Sequence, residues 1–81
     1  MIPRIDAACH VKDYTIHLQF SDGLEGDVDL RDELYGQLFE PLKDKELFLQ
    51  FFIHPEFRTI AWPNGADIAP EFLYGKIQVP V

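Results

Sequence analysis

Basic residues are scarce in this chain of 81 residues: seven Lys and Arg stand against fourteen Asp and Glu, a formal charge of −7. A field of that sign repels phosphate backbones and attracts basic surfaces, so direct nucleic-acid binding is not expected and a basic partner is. Cysteine is nearly missing. Cys9 stands alone, which rules out an internal disulfide and fits a reducing cytosol. Ser21, the only serine, lies in a tight turn with acids as neighbours, a poor setting for a nucleophile. Glycines 23, 26, 36, 65 and 75 are scattered, so no loop is built to cradle phosphate. No apolar run approaches the roughly 20 residues that cross a bilayer, and Met1-Ile2-Pro3-Arg4 lacks the apolar core of a signal peptide. The expectation is a cytoplasmic protein without membrane contact, cofactor or enzymatic activity.

What is present is a run of alternating patterns. Ile5, Ala7, Cys9 and Val11 alternate with Asp6, Ala8, His10 and Lys12; Tyr14, Ile16, Leu18 and Phe20 alternate with Thr15, His17 and Gln19; Leu24, Gly26, Val28 and Leu30 alternate with Glu25, Asp27 and Asp29. Each has period two and one apolar face, which predicts a three-stranded meander. Between the last two strands, a two-residue Asp22-Gly23 loop would set Phe20 against Glu25. A three-residue loop, with Gly23 left-handed, pairs Phe20 with Leu24, Leu18 with Gly26 and Ile16 with Val28, and keeps both apolar faces on one side. The longer loop is the expected one. A two-residue Lys12-Asp13 loop would likewise pair Val11 with Tyr14 and Cys9 with Ile16.

Beyond the meander, Asp29 is placed to cap a short turn through Arg31 to Tyr35, ended by Gly36. Pro41 is expected to break any helix starting near Phe39. Asp44 is the N-cap of a predicted short helix from Lys45 to about Phe51, with Leu47, Phe48 and Phe51 inward. Phe52 to His54 and Thr59 to Trp62 read as a second hairpin across Pro55-Glu56-Phe57-Arg58. Pro63-Asn64-Gly65 makes a further turn. Pro70 suits the first turn of a last helix carrying Phe72, Leu73, Lys76 and Ile77, weakened by Gly75. Val79-Pro80-Val81 is expected to fray or add an edge contact. The chain thus reads as one two-layer α+β domain spanning residues 1–81, of order β-β-β-α-β-β-α.

Few residues offer chemistry. The polar face of the meander collects Asp6, His10, His17, Glu25, Asp27 and Asp29, with His17 opposite Asp27 and Thr15 opposite Asp29. A metal or acid–base site there is one reading, a solvated face with an ordinary ion pair the other. The ligand spacing matches no metal motif, so no metal ligands are assigned. Cys9 falls on the apolar face, where it acts as a small hydrophobe. His54 before Pro55 suits turn capping. Asp67 reads as an acid beside Trp62 or, more simply, as a residue tying down loop amides before Pro70. Trp62 reads as a core aromatic against Phe72 and Leu73, with an interface anchor as its second role.

Several stretches carry a family resemblance: Tyr14 through Gly23, Gly26-Asp27-Val28-Asp29-Leu30, Phe39-Glu40-Pro41-Leu42, Phe57-Arg58-Thr59-Ile60, and Trp62 through Tyr74. Together they cover nearly the whole chain, and the arrangement resembles the bacterial domain of unknown function 2442. That resemblance implies a small α+β domain, fused in some members to a lambda-repressor-like helix-turn-helix. It also implies frequent pairing with a second small protein, an arrangement read as a toxin–antitoxin module. No helix-turn-helix pattern is expected within residues 1–81, and the resemblance assigns no catalytic residue. The function expected from charge, size and resemblance is an antitoxin-like interaction module for a basic protein partner or for a second copy of itself. A small-ligand or metal-binding domain is the alternative. The candidate face comprises His17, Glu25, Asp27, Asp29, Trp62 and Asp67.

Overall fold

Two turns built on one plan frame the structure, a computed structural model that describes residues 3–78. In the first, Gly23 N donates to Phe20 O at 3.0 Å and Phe20 N to Leu24 O at 2.8 Å; in the second, Gly65 N donates to Trp62 O at 3.1 Å and Trp62 N to Ala66 O at 2.8 Å. Gly23 and Gly65 both take positive φ, 95° and 93°, the left-handed position that glycine fills without a steric penalty. The residue before each glycine closes the loop with its side chain: Leu24 N donates to Asp22 Oδ1 at 3.0 Å and Ala66 N to Asn64 Oδ1 at 3.1 Å.

The first turn joins strands β2 (Thr15–Phe20) and β3 (Glu25–Asp29). Their register pairs Ile16 with Val28, Leu18 with Gly26 and His17 with Asp27, as the longer loop requires. Ile16, Leu18, Phe20 and Val28 are buried, while Glu25, Asp27 and Asp29 are exposed.

Strand β1 (Ile5–Lys12) departs from its predicted register. It pairs Ile5 with Phe20, but Ala7 with Gln19, Cys9 with His17, His10 with Ile16 and Lys12 with Thr15, with irregularities after Ile5 and after His10. Each one adds a residue to β1 alone and flips the strand's faces. Cys9 therefore lies on the exposed face and Val11 is exposed as well, not inward as the alternation suggested. His10 leaves the polar face and sets its ring edge-on to Phe48 at 6.4 Å. The turn falls at Asp13-Tyr14 rather than Lys12-Asp13, with Asp13 at φ 41°. Tyr14 leaves the strand and packs edge-on against Phe48 at 5.2 Å.

Past β3, Asp29 Oδ1 accepts from Arg31 N at 3.0 Å and opens a 3-10 turn over Arg31–Glu33. Pro41 does not break a helix here. It sits in the first turn of a second 3-10 segment, Glu40–Lys43, where its missing N–H is not needed. Asp44 caps α1 through Glu46 N at 3.0 Å, and α1 (Lys45–Phe48) stops three residues short of the predicted end. Phe48 is buried, with Leu47 and Phe51 packed beside it.

Strands β4 (Phe52–Ile53) and β5 (Ile60–Ala61) form the second hairpin. His54 caps its connection: the Glu56 and Phe57 amides donate to His54 Nδ1 at 3.1 and 3.2 Å. Ile5 N donates to Arg58 O at 3.0 Å, tying β1 to this hairpin. The second framing turn then brings Asp67 beside Ala61, and α2 (Pro70–Gln78) packs on β3 through Leu73 and Ile77. The result is the expected α+β arrangement, a three-stranded antiparallel sheet, a helix, a two-stranded hairpin and a C-terminal helix. The edge contact expected of Val79-Pro80-Val81 lies outside the described residues. No helix among those residues is long and apolar enough to cross a membrane.

At the centre, Trp62 Nε1 donates to Phe48 O at 2.9 Å. Its ring lies 5.8 Å from Phe48 and 6.4 Å from Phe39. Trp62 is a core residue, but its aromatic neighbours come from α1 and from the turn just before the second 3-10 segment. The Phe72 expected to pack on it is 43% exposed instead.

Candidate functional site

The meander brings His17, Glu25, Asp27 and Asp29 onto one outer face, because residues opposite each other in an antiparallel pair point the same way. His17 Nδ1 donates to Asp27 Oδ1 at 2.7 Å, and Nε2 lies 3.3 Å from Glu25 Oε1. Carboxylates only accept, so two of them on one ring favour the form with both nitrogens protonated. The Asp27 hydrogen bond raises the His17 pKa above its ordinary value; burial opposes this and Glu25 adds to it. Asp6, expected on the same face, pairs with Arg58 at 3.5 Å.

The shifted register of β1 places Cys9 directly across from His17, so Cys9, His17 and Asp27 form a row over three strands. Sequence patterning misses this row because it turns Cys9 inward. As the row stands, both nitrogens of His17 are engaged by carboxylates, leaving none to take a proton from the Cys9 thiol. Among the described residues, no three His, Cys, Asp or Glu side chains gather closely enough to hold a metal ion.

Asp67 and Trp62 belong elsewhere. Trp62 is buried and does not reach the surface. Asp67 is exposed. Of the loop amides before Pro70, that of Ala66 is held by Asn64 Oδ1 at 3.1 Å, and Asn64 Nδ2 donates to Leu38 O at 2.9 Å. The residue that joins the two acidic regions is Phe72. It lines a groove of about 690 Å³ between β3 and α2, with Asp27, Asp29, Glu71, Gly75 and Lys76. It also lines a second groove of about 430 Å³ with Glu33, Tyr35, Phe39 and Asp67. Tyr35, 71% exposed, stands at the second groove as Phe72 stands at both.

Positive charge is concentrated away from these grooves. Asp13 binds Lys45 Nζ at 3.0 Å and Arg31 at 3.6 Å. The Lys45 contact, helped by Arg31 and Lys12, holds the Asp13 carboxyl below its ordinary pKa. Lys45 and Arg31 each also lie 5.8 Å from the Tyr14 ring centre. Of the bases among the described residues, Lys76 is the one that lines either groove, its Nζ 5.4 Å from the Phe72 ring centre.

Residues 5–78 match the model of a family described as "Protein of unknown function (DUF2442)", and the chain belongs to that family. No curated protein and no solved structure matches the chain significantly.

Proposed function

Starting from that membership, we propose that the protein is a non-catalytic, antitoxin-like interaction module that holds a basic protein partner on the surface around Phe72. One observation carries the reading. A large exposed aromatic is shared by two open grooves, and five acidic residues, Glu33, Asp67, Asp27, Asp29 and Glu71, border them. Aromatic anchors supply much of the affinity at interfaces, and a surrounding field of one sign steers and selects an oppositely charged partner. Of the acids expected to matter, Asp27 and Asp29 border the first groove and Asp67 the second, while Glu25 borders neither.

The test is co-expression with the protein encoded by the adjacent gene, followed by binding measurements at two salt concentrations. The expected result is a complex whose association slows as salt rises and whose affinity drops about tenfold or more on Phe72→Ala. Separate elution of the two proteins at physiological salt would remove the reading's main support.

A further inference from the structure

The outer edge of the meander shows how such a partner would be held; the argument rests on the partner being basic. Among the described residues, strand β3 has a neighbour on one side only. Phe20 N donates to Leu24 O at 2.8 Å and Leu30 N to Tyr14 O at 2.9 Å, which fixes the phase of the ladder. Even-numbered residues of this segment turn their backbone groups toward β2, so the N–H and C=O groups of Glu25, Asp27 and Asp29 point away from it. Among the described residues, no acceptor meets any of these three N–H groups. A strand edge in this state is a template for one more strand.

The two sides of that edge differ. On the outer side stand the Glu25, Asp27 and Asp29 carboxylates. On the inner side the edge borders the groove against α2, where Phe72 is half exposed. A Cβ added at Gly75 would meet nothing within 4 Å. The helix thus leaves room where an incoming strand would put its inward side chains. We propose that β3 accepts an antiparallel β-strand from the partner, one that alternates basic with apolar residues. Its basic side chains stand opposite Glu25, Asp27 and Asp29, and its apolar ones enter the groove over Phe72 and Gly75. The Lys76 ammonium, now over Phe72, stays at the groove's rim. A second copy of this chain is the wrong occupant. Antiparallel pairing of β3 with itself sets Asp27 against Asp27 and Glu25 against Asp29, and like charges directly opposed are destabilising.

The probe is a short capped peptide alternating lysine and valine, titrated against the whole protein, with amide hydrogen exchange read by NMR. Binding is expected to weaken with salt and to slow exchange at Glu25, Asp27 and Asp29. In an antiparallel pair the lysines opposite these acids aim their own N–H groups at β3. N-methylation of the lysine amides should therefore cost about tenfold or more in affinity, and N-methylation of the valine amides little. Gly75→Leu should weaken binding while leaving the circular dichroism spectrum and Tm at least as high as in the parent, which separates a blocked groove from a failed fold. Salt-dependent binding that ignores N-methylation and leaves β3 exchange unchanged overturns strand addition, yet leaves the basic-partner reading standing. No binding at millimolar peptide also overturns strand addition, and the neighbour-protein experiment then decides the broader reading alone. Protection of the same amides in the protein by itself, growing with its concentration, would make a second copy the occupant and refute the proposal.

Discussion

Tyr74 Oη donates to Asp22 Oδ2 at 2.6 Å, linking the last helix to the turn between β2 and β3. The bond holds the Asp22 carboxyl below its ordinary pKa of 3.8, with the Leu24 amide adding to the effect, and raises the Tyr74 phenol above 10.0. The same ring packs edge-on to Phe20 at 5.1 Å, so α2 docks on the meander by an aromatic contact and a charged hydrogen bond together.

Tyr74→Phe should lower Tm in a pH-dependent way. The depressed Asp22 pKa contributes stability above its unfolded value, lost as pH falls through the folded one. The raised Tyr74 pKa contributes stability below its unfolded value, lost as pH rises through the folded one. The gap in Tm between parent and variant should thus be widest between about pH 4 and pH 10 and close toward both ends. Thermal melts across that range test it; a gap that does not vary with pH would mean that packing alone sets it.

His17 gives the opposite dependence to a carboxylate. Its folded pKa is raised, so its contribution is complete below the unfolded value of 6.5 and disappears as pH climbs through the folded value. His17→Gln should cost most in mildly acidic buffer and least near pH ~9. An NMR titration of the ring protons gives an independent reading. A midpoint at or below the ordinary histidine value would contradict the Asp27 and Glu25 contacts.

Much of this framework is legible in the chain itself. Asp22-Gly23, read against the spacing of Phe20 and Leu24, specifies the three-residue loop and hence the faces of β2 and β3, and Asp44 announces α1. Strand β1 is less readable for a physical reason. Ala7 and Cys9 are small enough to stand on either face at little cost, so burial of Ile5 and the reach of Tyr14 to its backbone acceptor, Lys43 O, decide the register. No glycine marks either irregularity. The candidate surface was legible only in pieces. Acids at 25, 27, 29 and 67 are visible one by one, but the exposure of Phe72 depends on which aromatics fill the centre first, and Phe39 and Phe48 take the places beside Trp62.

Trp62→Phe should destabilise the protein by about 2–3 kcal/mol, since it leaves a void and removes the shorter of the two hydrogen bonds to the Phe48 carbonyl, which keeps only the 3.4 Å contact from Phe51 N. In a domain of this size that lowers Tm by roughly 10 °C or more. Denaturant titration should show the loss in the midpoint; a variant within about 0.5 kcal/mol of the parent would contradict a central role for the indole.

Two glycines should respond in opposite directions. A Cβ on Gly26 would come within 3.0 Å of Ile77 Cγ2, pressing α2 off β3, and Gly26→Val should cost about 1–3 kcal/mol. Gly75 faces open space within α2, so Gly75→Ala should stabilise by up to ~1 kcal/mol. Chemical denaturation of both variants checks the pair, and equal signs would mean that the helix does not dock as described.

The second framing turn also determines how the protein ages. An Asn-Gly bond is open to deamidation: the glycine nitrogen attacks the asparagine side-chain carbonyl, ammonia leaves, and the resulting succinimide opens to aspartate or isoaspartate. Here the Gly65 nitrogen donates to Trp62 O, and both ends of the Asn64 amide are held by Ala66 N and Leu38 O. The reacting atoms are tied down as long as the turn is closed, so the reaction must wait for local opening. Deamidation at Asn64, followed by peptide mapping over weeks of storage, should then track opening of the turn and run faster in Trp62→Phe than in the parent. Equal rates would mean that the turn opens independently of the core. The residue that shapes the turn would also be its clock.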